Sequence, residues 1–232
     1  MLQLVPKDYI SGQIIFNKNY EPISLNLAIE LLSNSDGVFV DVGANLGLYS
    51  SIILKAFGEK RIIAIEPEVN NFIMLNNNIA LNTLDQNKIT TLNIAIGATS
   101  KLIELESPVV NNNGTFRVVI NSSNTDITKK YYPMMALDTV FKSLNIKNIS
   151  LMKIDIEGYE MEALKGIDWD SEYKPQNILM EFSDYVSRTG TSAQEILQYL
   201  IEKGYQPYSV DKVPYSTSHK LPEDNLLFTL NK

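Results

Sequence analysis

The stretch Val38–Leu54, VFVDVGANLGLYSSIIL, places an aspartate and two glycines between an apolar run and a helical pattern. Val38–Val42 is apolar except for Asp41, which is typical of a buried strand. Apolar residues then recur at helical spacing as far as Gly58, which supplies a stop signal. The stretch therefore predicts a strand, a tight glycine-containing loop and a helix.

Composition limits the class of protein. The 232 residues are 44% hydrophobic and 20% charged, as expected of one globular domain. No apolar run approaches the roughly 18–20 residues of a membrane span, and the N-terminus lacks the features of a signal peptide. With zero cysteines the chain has no disulfides, zinc–thiolate sites or cysteine nucleophiles. We expect a cytoplasmic protein without a membrane span.

The charge and the single histidine argue against two further classes. The formal net charge is −7 and Lys and Arg do not cluster, so we expect no nucleic-acid partner. A Ser-His-Asp triad would have to use His219, and no G-x-S-x-G surrounds a candidate serine. Hydrolase chemistry is therefore not favoured.

Strand-like and helical patterns alternate along the chain. Further strands are predicted at Arg61–Ile65, Ile89–Ile96, Ile149–Ile156, Ile178–Phe182, Gln206–Val210 and Leu226–Leu230. This order favours an α/β fold with an open, doubly wound, mostly parallel sheet that ends in an antiparallel hairpin. Residues 1–35 are predicted as an N-terminal arm with a helix at Leu25–Leu32. Residues 36–232 form the main domain, with an insertion near 98–135.

Two helix starts carry capping signals. Asp138 is predicted to cap a short helix, and Ser192 with Glu195 forms the pattern of a capping box.

The glycine loop is the candidate ligand site. Ligands of such sheets bind at the carboxyl ends of the strands, where helix N-termini present free N–H groups. Gly43 would let the backbone turn and approach a ligand, Gly47 would let the next helix pack closely, and Asn45 could cap or donate. The alternative is a tight turn without a ligand, but Asp41 would then be a costly buried residue without a partner.

The spacing of the glycines distinguishes between classes of nucleotide ligand. The loop reads G-A-N-L-G, which lacks the middle glycine of a dinucleotide fingerprint, and the chain has no P-loop motif. Asp41 suits an ammonium group, and Glu66 follows the loop by about 20 residues, where a carboxylate binds ribose hydroxyls. An ammonium at one end and a ribose at the other describe S-adenosylmethionine.

The motifs VFVDVGANLGLYS, IIAIEP, LNIAIG, MALDTV, LMKIDIEGYEMEALKG and PEDNLLF resemble those of FkbM-type methyltransferases. The resemblance runs from about Val38 to the C-terminus. It implies a class I, Rossmann-like fold with seven strands and an antiparallel last strand. It also implies S-adenosylmethionine as cofactor and methyl transfer to a hydroxyl of a sugar, glycan or secondary metabolite.

The predicted cofactor contacts follow the strand ends. They are Asp41, Gly43, Ala44, Asn45 and Gly47 for the amino-acid part, Glu66 and Pro67 for the ribose, Ala95 and Ile96 at the end of the third strand for adenine, and Asp155 beside the methyl group. Tyr49 could flank the cofactor, although core packing would explain it equally well.

The K-I-D-I-E-G motif supplies the candidates for chemistry. Asp155 could act as a base or orient the acceptor, and a neighbouring carboxylate such as Glu157 would raise one pKa of the pair. Glu157 could instead cap the next helix. Asp155 and Glu181 could hold Mg²⁺, although we expect no metal. His219 could be a base or an ordinary loop residue.

Two rival functions remain open. One is an NAD-dependent oxidoreductase, which the missing middle glycine disfavours. The other is an inactive methyltransferase fold retained as a binding module. The sequence names neither the acceptor nor the oligomeric state.

Overall fold

A large β-sheet carries the fold of this computed structural model, which describes residues 2–4, 9–17, 20–83, 85–106, 116–119, 130–182, 190–216 and 224–231. The large sheet contains β1 (Val38–Val42), β2 (Ile62–Ile65), β3 (Ile89–Leu92), β8 (Ile149–Ile154), β9 (Asn177–Phe182), β10 (Tyr205–Ser209) and β11 (Asp224–Leu230). Its order is β10-β11-β9-β8-β1-β2-β3, with β11 antiparallel to both neighbours and every other pair parallel. The predicted α/β fold with a terminal antiparallel hairpin is confirmed.

Helices cover both faces of this sheet. The described α-helices are α1 (Tyr9–Asn17), α2 (Pro22–Ser33), α3 (Leu48–Ala56), α4 (Val69–Ala80), α5 (Leu137–Ser143), α6 (Glu160–Lys165) and α7 (Ala193–Glu202). Apolar residues of α2, α3 and α4 pack with Phe39 on one face, and those of α5, α6 and α7 pack with Val40 on the other. All five residues of β1 are buried, as expected of a central strand covered on both faces.

A second, smaller sheet holds the insertion. It contains β4 (Ala95–Ile96), β5 (Lys101–Glu106), β6 (Arg117–Val118) and β7 (Tyr131–Met135), in the order β4-β7-β5-β6. The continuous strand predicted at Ile89–Ile96 is therefore wrong. The chain leaves the large sheet after β3 because Asn93 donates to the Glu66 and Pro67 carbonyls (2.9 and 2.8 Å), and β4 then pairs with β7.

The two predicted helix caps have different outcomes. Ser192 accepts from the Glu195 N–H (3.2 Å) while the Glu195 carboxylate accepts from the Ser192 N–H (2.6 Å), so the capping box is confirmed. The Asp138 cap is wrong. Helix α5 begins at Leu137 with Ala136 as N-cap, two residues earlier than predicted, and Asp138 pairs with Lys142 at 2.8 Å.

The N-terminal arm contributes α1 and α2, and α2 lays buried Leu27 and Leu32 on the sheet. Its separation from the main domain at residue 35 stays a prediction. None of the described helices is both long enough and apolar enough to cross a membrane.

Candidate active site

Carboxyl groups gather where four neighbouring parallel strands end. Asp41 lies in β1, Glu66 follows β2, Asp155 follows β8, and Glu181 lies near the end of β9. The register pairs Val42 with both Ile65 and Ile154, and Ile154 with Met180. These carboxyl groups therefore share the sheet edge at which ligands of such folds bind.

Gly43 makes the closest backbone approach at this edge. It has a φ of +81°, and a Cβ there would lie 1.9 Å from the Asp155 carbonyl oxygen. Its N–H donates to the Ile65 carbonyl (3.0 Å). The sequence predicts that this glycine approaches a ligand, whereas the described contact is with the backbone after β8.

Gly47 allows a helix to pack closely, as predicted. It has a φ of +83°, and a Cβ there would lie 2.6 Å from Leu75 Cδ1 on α4. The same helix binds the loop through buried Asn78, whose side-chain amide donates to the Leu46 carbonyl (2.7 Å). The loop is thus fixed from α4 as well as from the strands.

Glu66 is buried against the glycine loop. One carboxylate oxygen accepts from the Asn45 N–H and the other from the Glu68 N–H, both at 2.9 Å. Burial raises the pKa of Glu66 to about 7, although the two backbone hydrogen bonds oppose the shift. The Asn71 side chain also hydrogen-bonds to this carboxylate, so three protein partners occupy its roughly four acceptor positions and one is left for a ribose hydroxyl. Half-buried Pro67 follows at the same strand end.

Asp41 already has partners within the protein. It is 1% exposed and accepts from the Ser50 hydroxyl on α3 (2.6 Å). Burial raises its pKa, while attraction to Lys153 and the Ser50 hydrogen bond oppose the shift. The cation facing Asp41 in the structure is Lys153, and a contact with a cofactor ammonium stays a prediction.

Lys153 contacts both Asp155 and Tyr49. Its Nζ lies 2.7 Å from Asp155 Oδ2 and 4.8 Å from the centre of the Tyr49 ring. Burial lowers the pKa of Lys153, but attraction to Asp155, Glu21 and Asp41 outweighs this and the net shift is upward. The side chain is therefore an ammonium at neutral pH.

Asp155 and Glu181 form a hydrogen-bonded carboxyl pair. The negative charge of Asp155, followed by burial, raises the pKa of Glu181 far above its usual range. Burial also acts to raise the pKa of Asp155, but Lys153 and the hydrogen bond from Glu181 lower it overall. These opposite directions favour a proton on Glu181 while Asp155 carries the negative charge. The partner expected for Asp155 was Glu157, and the group with the raised pKa is Glu181.

Glu157 does not cap α6, so that alternative is wrong. The N-cap is Tyr159, which makes no side-chain capping bond, and Glu157 has a φ of +54°. Glu160, which sequence reasoning missed, fixes this turn instead by accepting from the Ile156 and Gly158 N–H groups (3.2 and 3.1 Å). Its Oε2 is buried without a hydrogen-bond partner among the described residues, and burial raises its pKa to about 7.

Magnesium binding receives no support from this arrangement. Asp155 is engaged by Lys153 and is hydrogen-bonded to Glu181. Across the part of the chain that the structure describes, no three potential metal-ligating side chains lie together.

The arm adds two residues that sequence reasoning missed. Glu21 accepts from the Tyr49 hydroxyl (2.7 Å) and from the Asn225 amide on β11 (3.2 Å). Tyr20 hydrogen-bonds to Glu21, and burial followed by the negative charge of Asp155 raises its pKa. The sequence signal that could have identified Glu21 is a glutamate, a poor N-cap residue, directly before Pro22 at a helix start.

Two predicted site residues lie elsewhere in the fold, and a third lies outside the described residues. Ala95 and Ile96 are buried in β4 and pair with Met134 and Met135, so their assignment to the end of the third strand is wrong and their contact with adenine stays a prediction. His219 lies outside the described residues.

Comparison with known proteins identifies the family of the chain. The model of the Methyltransferase FkbM domain matches residues 41–207, well over half of the chain. The chain belongs to the FkbM methyltransferase family. The match begins at Asp41 and includes the glycine loop, Glu66 and the Asp155–Glu181 pair.

Relatives of the chain carry methyltransferase names. It is 24% identical over 203 residues to Methyltransferase sdnD of Sordaria araneosa, covering 74% of this chain and 75% of that protein. It is 27% identical over 135 residues to the hexuronic acid methyltransferase AglP of Haloferax volcanii, covering 58% of this chain and 52% of the relative.

A solved FkbM methyltransferase from Methylobacillus flagellatus shares the fold. The TM-score is 0.54 at 21% identity, over 92% of this chain and 49% of that one. The chain therefore spans about half the length of this structure and of AglP.

Proposed function

We propose that this FkbM methyltransferase transfers the methyl group of S-adenosylmethionine to a hydroxyl of a sugar, glycan or secondary metabolite. The observation that carries the proposal is the convergence of Asp41, Glu66 and Asp155 at the ends of three adjacent parallel strands around one glycine loop. The name of AglP, a hexuronic acid methyltransferase, supports a sugar-containing acceptor.

The residues divide the work along the cleft. Glu66 would accept a hydrogen bond from a ribose hydroxyl at its remaining acceptor position. Asp41 and the N-terminus of α3 would face the amino-acid part, whose ammonium and carboxylate groups match their opposite charges. When bound, S-adenosylmethionine would supply a sulfonium methyl group open to displacement by an oxygen nucleophile.

Asp155 would orient the acceptor. Its carboxylate would accept the hydrogen bond of the acceptor hydroxyl and take the proton as the oxygen becomes methylated. A low pKa does not prevent this, because a hydroxyl oxygen becomes strongly acidic once its bond to carbon forms. Protonated Glu181 would donate a hydrogen bond to Asp155, and the Lys153 ammonium would hold Asp155 from its other side.

The test is transfer of labelled methyl from S-adenosylmethionine to a panel of neutral sugars, uronic acids and hydroxylated metabolites. We expect labelled product with at least one acceptor, and a loss of about 10²–10⁴-fold in Asp155→Asn. Glu172→Gln, an exposed residue paired with Lys147, is the matched control and should keep full activity. Equal turnover in Asp155→Asn would remove Asp155 from the chemistry.

Two other results would favour the rival functions. Binding of S-adenosylhomocysteine without transfer to any acceptor would favour an inactive binding module. Binding of NAD in place of S-adenosylhomocysteine would favour an oxidoreductase.

A further inference from the structure

Glu21 is the residue of the N-terminal arm most firmly joined to the site. It lies at the start of α2 with a φ of +45°, a left-handed conformation that is uncommon for residues other than glycine. Its carboxylate does not cap α2 and instead accepts from Tyr49 on α3 and Asn225 on β11. These contacts direct the charge of Glu21 toward the cleft.

The charge around Lys153 is not balanced. Its ammonium is attracted by Asp155, Glu21 and Asp41. One positive charge facing Asp155 and Glu21 leaves an excess of negative charge among the described residues of this region, even without Asp41, whose pKa burial raises. The Lys153 ammonium lies 2.7 Å from Asp155 and is attracted more strongly by Asp155 than by Glu21, so it offsets the charge of Glu21 less than that of Asp155.

We propose that Glu21 is a specificity-determining residue of the cofactor site, whose negative charge makes the site prefer a cationic sulfonium to the neutral thioether left after methyl transfer. The inference rests on the proposed function. The Tyr49 hydroxyl holds the Glu21 carboxylate at 2.7 Å beside a ring that already faces the Lys153 cation. A sulfonium near Asp155 would meet the same excess negative charge.

The consequence is an advantage in turnover. The cofactor loses its positive sulfur charge when the methyl group leaves, so the attraction from Glu21 is lost at that moment. The spent cofactor then binds less tightly than the fresh one, and product inhibition is reduced. The arm thereby takes part in cofactor selection.

The test compares two stable ligands by calorimetry. S-adenosylhomocysteine carries a neutral sulfur, and sinefungin carries a protonated amine at the equivalent position. Both are titrated into the full chain and into Glu21→Gln, which removes the charge but keeps an oxygen that can accept from Tyr49. Tyr49→Phe removes the hydrogen bond but keeps the charge. Glu30→Gln, on the same helix and paired with Lys212, is the control.

We expect the full chain to bind sinefungin more tightly than S-adenosylhomocysteine, and Glu21→Gln to reduce this preference by about tenfold, the size of one partly screened charge interaction. Tyr49→Phe should weaken both ligands by similar factors, and Glu30→Gln should change neither. The proposal is overturned if Glu21→Gln weakens both ligands equally, since that is a structural effect, or if it changes neither. Binding of neither ligand by the full chain would instead refute the proposed function and the inference with it.

Discussion

Gly43 is the residue at which backbone geometry constrains the site most strongly. An alanine there would bring its Cβ to 1.9 Å from the Asp155 carbonyl oxygen, at a φ of +81°. We expect Gly43→Ala to destabilise the fold by about 2–4 kcal/mol, because both the strained backbone and the steric overlap must be relieved. Urea denaturation would measure the change in the free energy of unfolding.

Gly58 provides the matched control for that substitution. It follows α3, and a Cβ there would meet no atom within 4 Å. Gly58→Ala should change the free energy of unfolding by less than about 0.5 kcal/mol. Equal stabilities of the two variants would contradict the assigned contact between the glycine loop and Asp155.

Glu160 makes stability depend on pH. Burial raises its pKa from 4.5 to about 7, so the folded state binds its proton more tightly than the unfolded state. The stabilising contribution is complete below pH 4.5 and is lost as the pH rises through 7. Glu66 shifts in the same direction and adds to the loss.

The test compares Glu160→Gln with the unmodified chain by urea denaturation between pH 4.5 and 8. Gln keeps an oxygen for the Ile156 and Gly158 N–H groups but cannot ionise. The fall in stability with pH should be smaller in the variant, by on the order of 1–3 kcal/mol. Parallel curves for the two proteins would show that Glu160 does not titrate in this range.

Residue types were easier to predict than their partners. Sequence spacing placed Asp41, Gly47 and Glu66 correctly along the chain because helix and strand periodicities are local. The Asp155–Glu181 pair depends on two strands that lie side by side but are separated along the sequence. The identity of the carboxyl group with the raised pKa depends on Lys153, whose three acidic neighbours come from separate parts of the chain.

At the scale of elements, α4 fixes the glycine loop through one side chain. Asn78 is fully buried and donates to the Leu46 carbonyl at 2.7 Å. Asn78→Ala should destabilise the fold by about 1–3 kcal/mol and weaken binding of S-adenosylhomocysteine, because the carbonyl loses a buried partner and the loop loses its support. Thermal unfolding and calorimetry would measure the two effects.

The neighbouring Asn77 is the control on the same helix. It is exposed, and its amide contacts Gln3 at 3.2 Å. Asn77→Ala should leave cofactor affinity unchanged. A similar loss of affinity in both variants would mean that the helix as a whole, rather than the Asn78–Leu46 bond, supports the loop.

The error at the third strand shows what a local pattern omits. The stretch from Ile89 to Ile96, ITTLNIAI, is rich in β-branched residues, and Asn93 is the weak local signal that divides it. The division comes from Asn93, which bonds backbone carbonyls after β2, and from β7, which pairs with β4. Both partners are distant in sequence, so periodicity alone predicts a single strand.

The whole molecule joins the arm, the sheet edge and the insertion around one cleft. The arm brings Tyr20 and Glu21 to the carboxyl groups, and burial together with the charges of Glu68 and Glu66 raises the pKa of Tyr132 on β7. The alternation of strands and helices made the sheet predictable. The arm and the insertion reach the cleft through contacts between side chains far apart in sequence, which leave no periodic pattern.

The central claim is that the loop at Gly43–Gly47 binds S-adenosylmethionine with the help of Asp41. The most direct measurement is calorimetric titration of the full chain and of Asp41→Asn with S-adenosylhomocysteine, with Glu59→Gln, an exposed partner of Lys88, as control. Asn keeps an oxygen that can accept from Ser50 while it removes the charge, and thermal unfolding checks that the variant remains folded.

We expect binding with a Kd on the order of micromolar by the full chain and the control, and a loss of at least about tenfold in Asp41→Asn. Absence of binding by the full chain would contradict the account, and equal binding by a folded Asp41→Asn would contradict the role of Asp41.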